Sequence, residues 1–191
     1  MKIKIVQIVL LIAIGYLGYL LWETIQEPVR FNREKDRRAD IVVQNLKDIR
    51  SVQQMYRSLN DSFAPNFDTL IKFMVEGQIP VVNIIFDPAD TTLTKTINDT
   101  LGYVSVADSL FSNRQNFEVT QLQYIPFSDG KKFELDAGKI NKGGVMVPVF
   151  MAVASKEHYL KGLPKNQVMK GSVKDLIVGS LQEPTTDGNW E

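Results

Sequence analysis

Cysteine is absent from this chain of 191 residues, and that absence excludes disulfides, thiolate zinc sites and cysteine nucleophiles outright. Stability must come from packing, and a lack of thiols fits an envelope compartment in which stray cysteines would oxidise. Histidine occurs once, at His158. No signature links it to a serine nucleophile, so a surface or packing role is preferred over catalysis. An excess of either charge is also missing: Lys and Arg number 22, Asp and Glu 22. That balance gives no basis for general nucleic-acid binding, and the aromatic residues lack a basic, base-stacking context. Neither a glycine-rich phosphate loop nor a histidine-carboxylate metalloprotease motif is present.

What the chain does have is an apolar run at its start. From Ile5 to Trp22 only Gln7 is strongly polar. At about 1.5 Å per helical residue the stretch from Ile3 to Trp22 reaches roughly 30 Å, the thickness of a bilayer's hydrocarbon core. The expectation is a membrane anchor over residues 5–22 after a short flank, residues 1–4, with Ile5, Val9, Leu10, Ile12, Leu17, Leu20 and Trp22 meeting lipid. Signal-peptide cores are shorter, about 7–15 residues, and end in a small-x-small cleavage site. This run is longer and ends Tyr19-Leu20-Leu21-Trp22-Glu23, so retention is expected. Tyr16, Tyr19 and Trp22 suit one headgroup boundary, and Lys2 and Lys4 reach the other.

The flanking charges conflict. Lys2 and Lys4 precede the span, while Arg30, Arg33, Lys35, Arg37 and Arg38 follow it, a distribution that on count alone favours a cytoplasmic C-terminus. The exit is acidic at Glu23 and Glu27, the basic residues are interleaved with Glu34, Asp36 and Asp40, and large domains translocate despite their charge. The expected placement is a bacterial inner membrane, single-pass, with the C-terminal domain periplasmic. The basic stretch itself is read as a solvated helix face rather than a lipid-binding patch.

Beyond the span, residues 23–59 read as a juxtamembrane and amphipathic helix, and residues 60–191 as an α+β globular region that forms one domain with it. Val42, Leu46, Ile49, Val52, Tyr56 and Leu59 recur at steps of four and three, an apolar stripe that would pack on its own domain. The repeat is too short to establish a coiled coil. Pro28, lacking an amide hydrogen, is expected to kink the helix.

Asn66 is a candidate cap for a short helix carrying Phe67, Leu70, Ile71 and Met74, which Gly77 would end. Ile79 to Val82 turns extended, Asp87 to Thr92 marks a loop, and the polar stretch through Asn116 is irregular apart from a short helix at Val106 to Phe111. Three extended segments follow: Leu122 to Phe127, Lys132 to Ile140 and Val145 to Ala154. Ser128-Asp129-Gly130 and Asn141-Lys142-Gly143-Gly144 separate them, which predicts an antiparallel meander. Pro148 suggests an edge or bulged position. A short helix or turn at His158 to Leu160, a last strand at Leu176 to Leu181 and a docking strand or frayed tail at Asp187 to Glu191 complete the order. The fold class is α+β, an N-terminal transmembrane helix continuing into a long amphipathic helix packed on an antiparallel sheet.

That order, together with the segment LKDIRSVQQMYRSLNDSFAPNFDTL from Leu46 to Leu70, resembles the type IV pilins and the pseudopilins of type II secretion. In both, a long helix ends near a Tyr and a polar turn precedes a short Leu-bearing segment. The resemblance covers about the first 75 residues and implies a pilin-like fold, a homo-oligomer or a secretion or pilus-like assembly with envelope proteins as partners. The pilin processing pattern, a Gly before a hydrophobic or aromatic residue with a Glu five positions on, is not present in that arrangement: Gly15 precedes Tyr16, but Leu20 stands where the pattern carries a Glu. The chain is also similar to single-pass envelope proteins of Gram-negative bacteria.

The function expected is non-catalytic: a membrane-anchored envelope protein with a structural or protein-interaction role and no cofactor. Its alternative is a membrane-tethered ligand-binding module or atypical hydrolase with Asp87, Asp90 and His158 as polar members. Asp87 with Asp90, and Asp187 with Asn189, offer oxygen ligands without the dense loop calcium needs, and solvated turns are preferred.

Overall fold

A computed structural model of the chain describes residues 2–86, 96–114 and 117–191. Its first element, α1, is a single helix over Lys2–Asn60, roughly 88 Å long at the usual rise. Pro28 lies inside it without ending it. The proline removes one amide donor from the ladder, and the hydrogen bonds on either side carry the helix past it, so the apolar and amphipathic segments stay in one continuous helix. Asp61 takes a left-handed φ of 53° and donates its amide to Arg57 O at 2.9 Å, which terminates the helix.

A turn leads to α2, Phe67–Glu76, whose N-cap Asn66 accepts from the Thr69 amide at 2.9 Å. Phe67, Leu70 and Met74 are its buried side. Gly77 ends it where a Cβ would sit 2.2 Å from Phe73 O, a place only glycine fits. Strands β1, Gln78–Phe86, and β2, Thr96–Ser105, then pair antiparallel in a sheet of their own, with a register shift between Val81 and Val82. β2 occupies a stretch whose sequence reads as irregular. Its residues Leu101, Tyr103 and Val104 are exposed, so its described side chains carry no inward-facing alternation that would reveal it. Helix α3, Val106–Phe111, follows with Ser105 as cap.

The segment Leu122 to Phe127 is not a strand. Val119–Gln123 forms a 3-10 turn, and an isolated bridge joins Tyr124 to Lys132. Phe127, Asp129 and Gly130 all take positive φ, while the Ser128 hydroxyl donates to Ile125 O at 2.6 Å and accepts from the Lys131 amide at 3.0 Å. Those side-chain and turn bonds replace ladder pairing. The second sheet instead has the order β3-β4-β5, from Glu134–Lys142, Val145–Ala154 and Leu176–Gly179. Gly143 and Gly144, with φ of 62° and 87°, make the two-residue hairpin between β3 and β4.

Pro148 pairs with Lys139 in an unbroken register, so no bulge forms there. Although β4 is the central strand, β5 covers only Met151 to Ala154, and Pro148 lies where β4 has a neighbour on one side. β5 stops at Gly179, short of Leu181; a Cβ there would meet Phe150 O at 2.3 Å. The C-terminus returns to this strand: Val178 bridges Gly188, and the Asn189 amide donates to Ile177 O at 3.0 Å.

Between these layers lies one core. Val42, Leu46, Ile49 and Val52 of α1 are fully buried against β5, β4 and α2, together with Phe63, Leu70, Phe150 and Val178. Each such aliphatic side chain contributes about 1.5–3 kcal/mol by leaving water. Tyr56 is partly buried and packs edge-on against Phe73 at 5.0 Å. Leu59, expected on the same stripe, is 47% exposed. Leu59 belongs to the last turn of α1, residues 57–60, which is exposed throughout.

Candidate functional site

Two stretches of α1 have opposite surroundings. Val9, Leu10, Ile12, Leu17, Leu20 and Trp22 are all exposed, no part of the apolar window is covered by the rest of the chain, and Ile5 lies on the same helix. By length and composition this is a candidate membrane span. Exposed apolar side chains continue at Ile25 and Val29. Phe31 is the first buried residue among the described side chains of the helix, roughly 13 Å beyond Trp22 along the axis.

From Phe31 onward polar contacts key the helix to the domain. Gln53 is fully buried; its Nε2 donates to Ala64 O at 2.9 Å and its Oε1 accepts from Ala64 N at 2.8 Å. A buried backbone pair in a turn is thereby satisfied. Asp48, also buried, accepts from Gln44 at 3.0 Å and takes both arms of the Arg114 guanidinium, Nη2 to Oδ1 at 2.7 Å. The pairing raises the Arg114 pKa above its ordinary value, and the guanidinium also lies over the Phe111 and Phe117 rings. Arg50 meets Glu191 at 2.7 Å and Thr186 O at 3.3 Å, tying the C-terminus to the helix.

A third cluster sits where the helix enters the domain. Glu34 receives Arg37 Nη2 at 2.7 Å and Arg38 Nε at 2.8 Å, and those bonds, Arg37 first, hold its carboxyl down to about 2. Arg38 Nη1 donates onward to Lys161 O at 2.8 Å. Both arginines lie over the Phe127 ring, at 5.3 and 4.9 Å. Phe127 has a φ of 65°, a strained setting for a bulky residue that the two cations cover. Lys161 Nζ reaches Asp129 at 2.6 Å and lowers its pKa. Tyr159 beside them donates its hydroxyl to Lys174 O at 3.0 Å, and burial pushes its pKa up to about 12.

The polar residues weighed for catalysis do not form a described constellation. His158 is half-buried on α4, Lys156–Tyr159, and Asp87 and Asp90 lie outside the described residues. Asp187 accepts from the Thr185 hydroxyl at 2.9 Å. Asn189 accepts from the Ile177 amide and donates to Asp175 O, so both side chains fasten the returning C-terminus. Among the described residues no group of three or more His, Asp or Glu is placed to hold a metal ion.

Sequence reasoning missed Gln53, Asp48, Arg114 and Phe127. For Gln53 a signal exists: at about 100° per residue it projects between Leu46 and Ile49, a polar residue in the middle of the apolar arc. Comparisons of the chain with protein-family models, with curated proteins and with solved structures gave no match.

Proposed function

We propose that this is a single-pass, membrane-anchored envelope protein with a non-catalytic structural or protein-interaction role, its domain on the periplasmic side of a bacterial inner membrane. One observation carries the reading. A single helix is bare and apolar over its first part and forms the core of a folded domain over its second, so membrane and domain are joined without a flexible linker. Rigid coupling of that kind suits a subunit whose domain must be presented at a fixed height and orientation. The order of long helix, capped short helix and antiparallel sheet agrees with a pilin-like subunit of a secretion or pilus-like assembly.

Surface apolar groups on the β1–β2 hairpin add to this reading. Leu101 and Tyr103 are each 66% exposed, a cost that a partner surface would remove. The test is affinity recovery of the full chain from detergent-solubilised envelopes, followed by mass spectrometry. Stoichiometric recovery of envelope-assembly components, lost on replacing Leu101 and Tyr103 by Ser, is the expected result. Recovery of the chain alone, in both mild and harsh detergent, would contradict it.

A further inference from the structure

The balanced charge of the whole chain conceals a strong local imbalance. Segments 30–38, 129–132 and 156–175 together hold twelve Lys and Arg against five Asp and Glu. They also meet in space. Arg38 donates to the backbone of Tyr159 and Lys161, Lys161 pairs with Asp129, and Lys35 and Ala39 share a cleft with Ser172 and Lys174. These are the parts of the domain packed at the first turns of α1 after Phe31, so they form the rim nearest the apolar span. Partial neutralisation at Glu34 and Asp129 leaves the excess cationic.

On the same rim a groove of about 570 Å³ runs beside α5, Lys165–Val168. Leu160, Leu163, Val168 and Met169 give it an apolar lining, and two cations, Lys161 and Lys165, stand along it against one carboxylate, Glu157; Met169 is 61% exposed. Apolar surface edged by long cationic stems suits a lipid interface, where the stems lie along the acyl boundary and the ammonium groups meet phosphates.

We infer that this rim is a docking surface for anionic phospholipid headgroups of the bilayer that α1 enters. The inference rests on the anchor proposed above. An upright helix holds the rim roughly 13–24 Å from Trp22. The headgroup layer occupies about 5–7 Å of that gap, and the Debye length, about 8 Å at physiological salt, covers much of the remainder. A tilt of about 20°, ordinary for a spanning helix, lowers a surface 20 Å off its axis by roughly 7 Å. Headgroup attraction to the lysines selects the tilt that brings the α4–α5 side down.

The lack of cysteine makes the test direct. The full chain carrying Asn166→Cys on α5 is labelled with an environment-sensitive fluorophore and reconstituted in vesicles of phosphatidylcholine, with or without phosphatidylglycerol, containing headgroup-region quencher lipids. Quenching in the phosphatidylglycerol vesicles, reversed by high salt, is expected. Lys165→Glu with Lys170→Glu lowers the docked-to-undocked ratio roughly tenfold or more. Both lysines are solvent-exposed, and circular dichroism checks that the variant keeps its fold. Equal, weak quenching in both vesicle types overturns the docking. A Leu11→Cys label, read in matching vesicles whose quencher is carried on the lipid acyl chains, reports on the anchor separately. Deep quenching there with no quenching at residue 166 rejects the docking alone, whereas an unquenched Leu11→Cys label rejects the anchor and the docking with it.

Discussion

Gln53 and Ala64 exchange two hydrogen bonds inside the core, amide to carbonyl at 2.9 Å and backbone N–H to side-chain oxygen at 2.8 Å. The pair locks the turn after α1 onto the helix that precedes it, and so fixes where α2 begins. Gln53→Leu keeps the volume and leaves both Ala64 groups buried without partners, at an expected cost of roughly 2–4 kcal/mol. Hydrogen exchange of the Leu46 to Val52 amides in the reconstituted protein measures it. Gln53→Glu adds a sign: burial raises the folded-state pKa of the new carboxyl, so the variant is most stable at low pH and weakens as pH rises above roughly 4.3.

The apolar stripe separates into buried and exposed members. Leu46→Ala, at a fully buried position, is expected to cost about 2–5 kcal/mol. Leu59→Ala, beyond the domain's edge, is expected to stay within about 0.5 kcal/mol of the parent. Chemical denaturation followed by near-ultraviolet circular dichroism distinguishes the two.

How the stripe was legible, and where it misled, has one physical cause. Helical periodicity reports that a face is apolar over Val42 to Leu59, and not where the domain packed against it stops. The same limit applies to the sheets. The Val145 to Ala154 strand and its Gly-Gly turn are visible because half-burial and positive φ leave marks in composition. β2 leaves none, since its described side chains mostly face solvent. Leu122 to Phe127 is apolar enough for a strand, yet Ser128 bonds to Ile125 O and the Lys131 amide and closes a turn instead. Asp48 and Arg114 stand 66 positions apart, and no local pattern announces such a pair. Of the candidate site, the long apolar helix and the Val42 to Val52 core face were readable, whereas the polar contacts joining helix to domain were not.

Asp48 is buried while Arg114 is partly exposed, so removing the arginine leaves an uncompensated interior charge. Arg114→Ala is expected to cost about 1–3 kcal/mol, the lower end reflecting solvent at the guanidinium. Adding Asp48→Asn recovers part of the loss. A double-mutant cycle on unfolding free energies checks the coupling, which would be near zero if the pair were ornamental.

Acid sensitivity follows from Glu34, Asp129 and Glu191, whose carboxyls are depressed by Arg37, Lys161 and Arg50 respectively. A depressed folded-state pKa gives stability that is present above the unfolded value, roughly 4.3 for Glu, and lost as pH falls through the folded value. Stability is therefore expected to fall as pH drops from that unfolded value toward the folded value of about 2 for Glu34. Glu34→Gln flattens the slope in that window. Added salt does the same, because these pairs face water. Thermal melts across pH, with and without salt, are the check.

The proposed anchor and docking surface both require α1 to be one helix in two environments. Nitroxide labels placed singly from Ile8 to Gln54 along the full chain in lipid vesicles, with collision rates to oxygen and to a water-soluble nickel chelate, measure this directly. The expected result is lipid exposure all round from Ile8 to Trp22, giving way after Phe31 to water contact at Asp40, Gln44, Lys47 and Gln54 and occlusion at Val42, Leu46, Ile49 and Val52. Nickel contact throughout Ile8 to Trp22, or water contact on every face after Phe31, would contradict it.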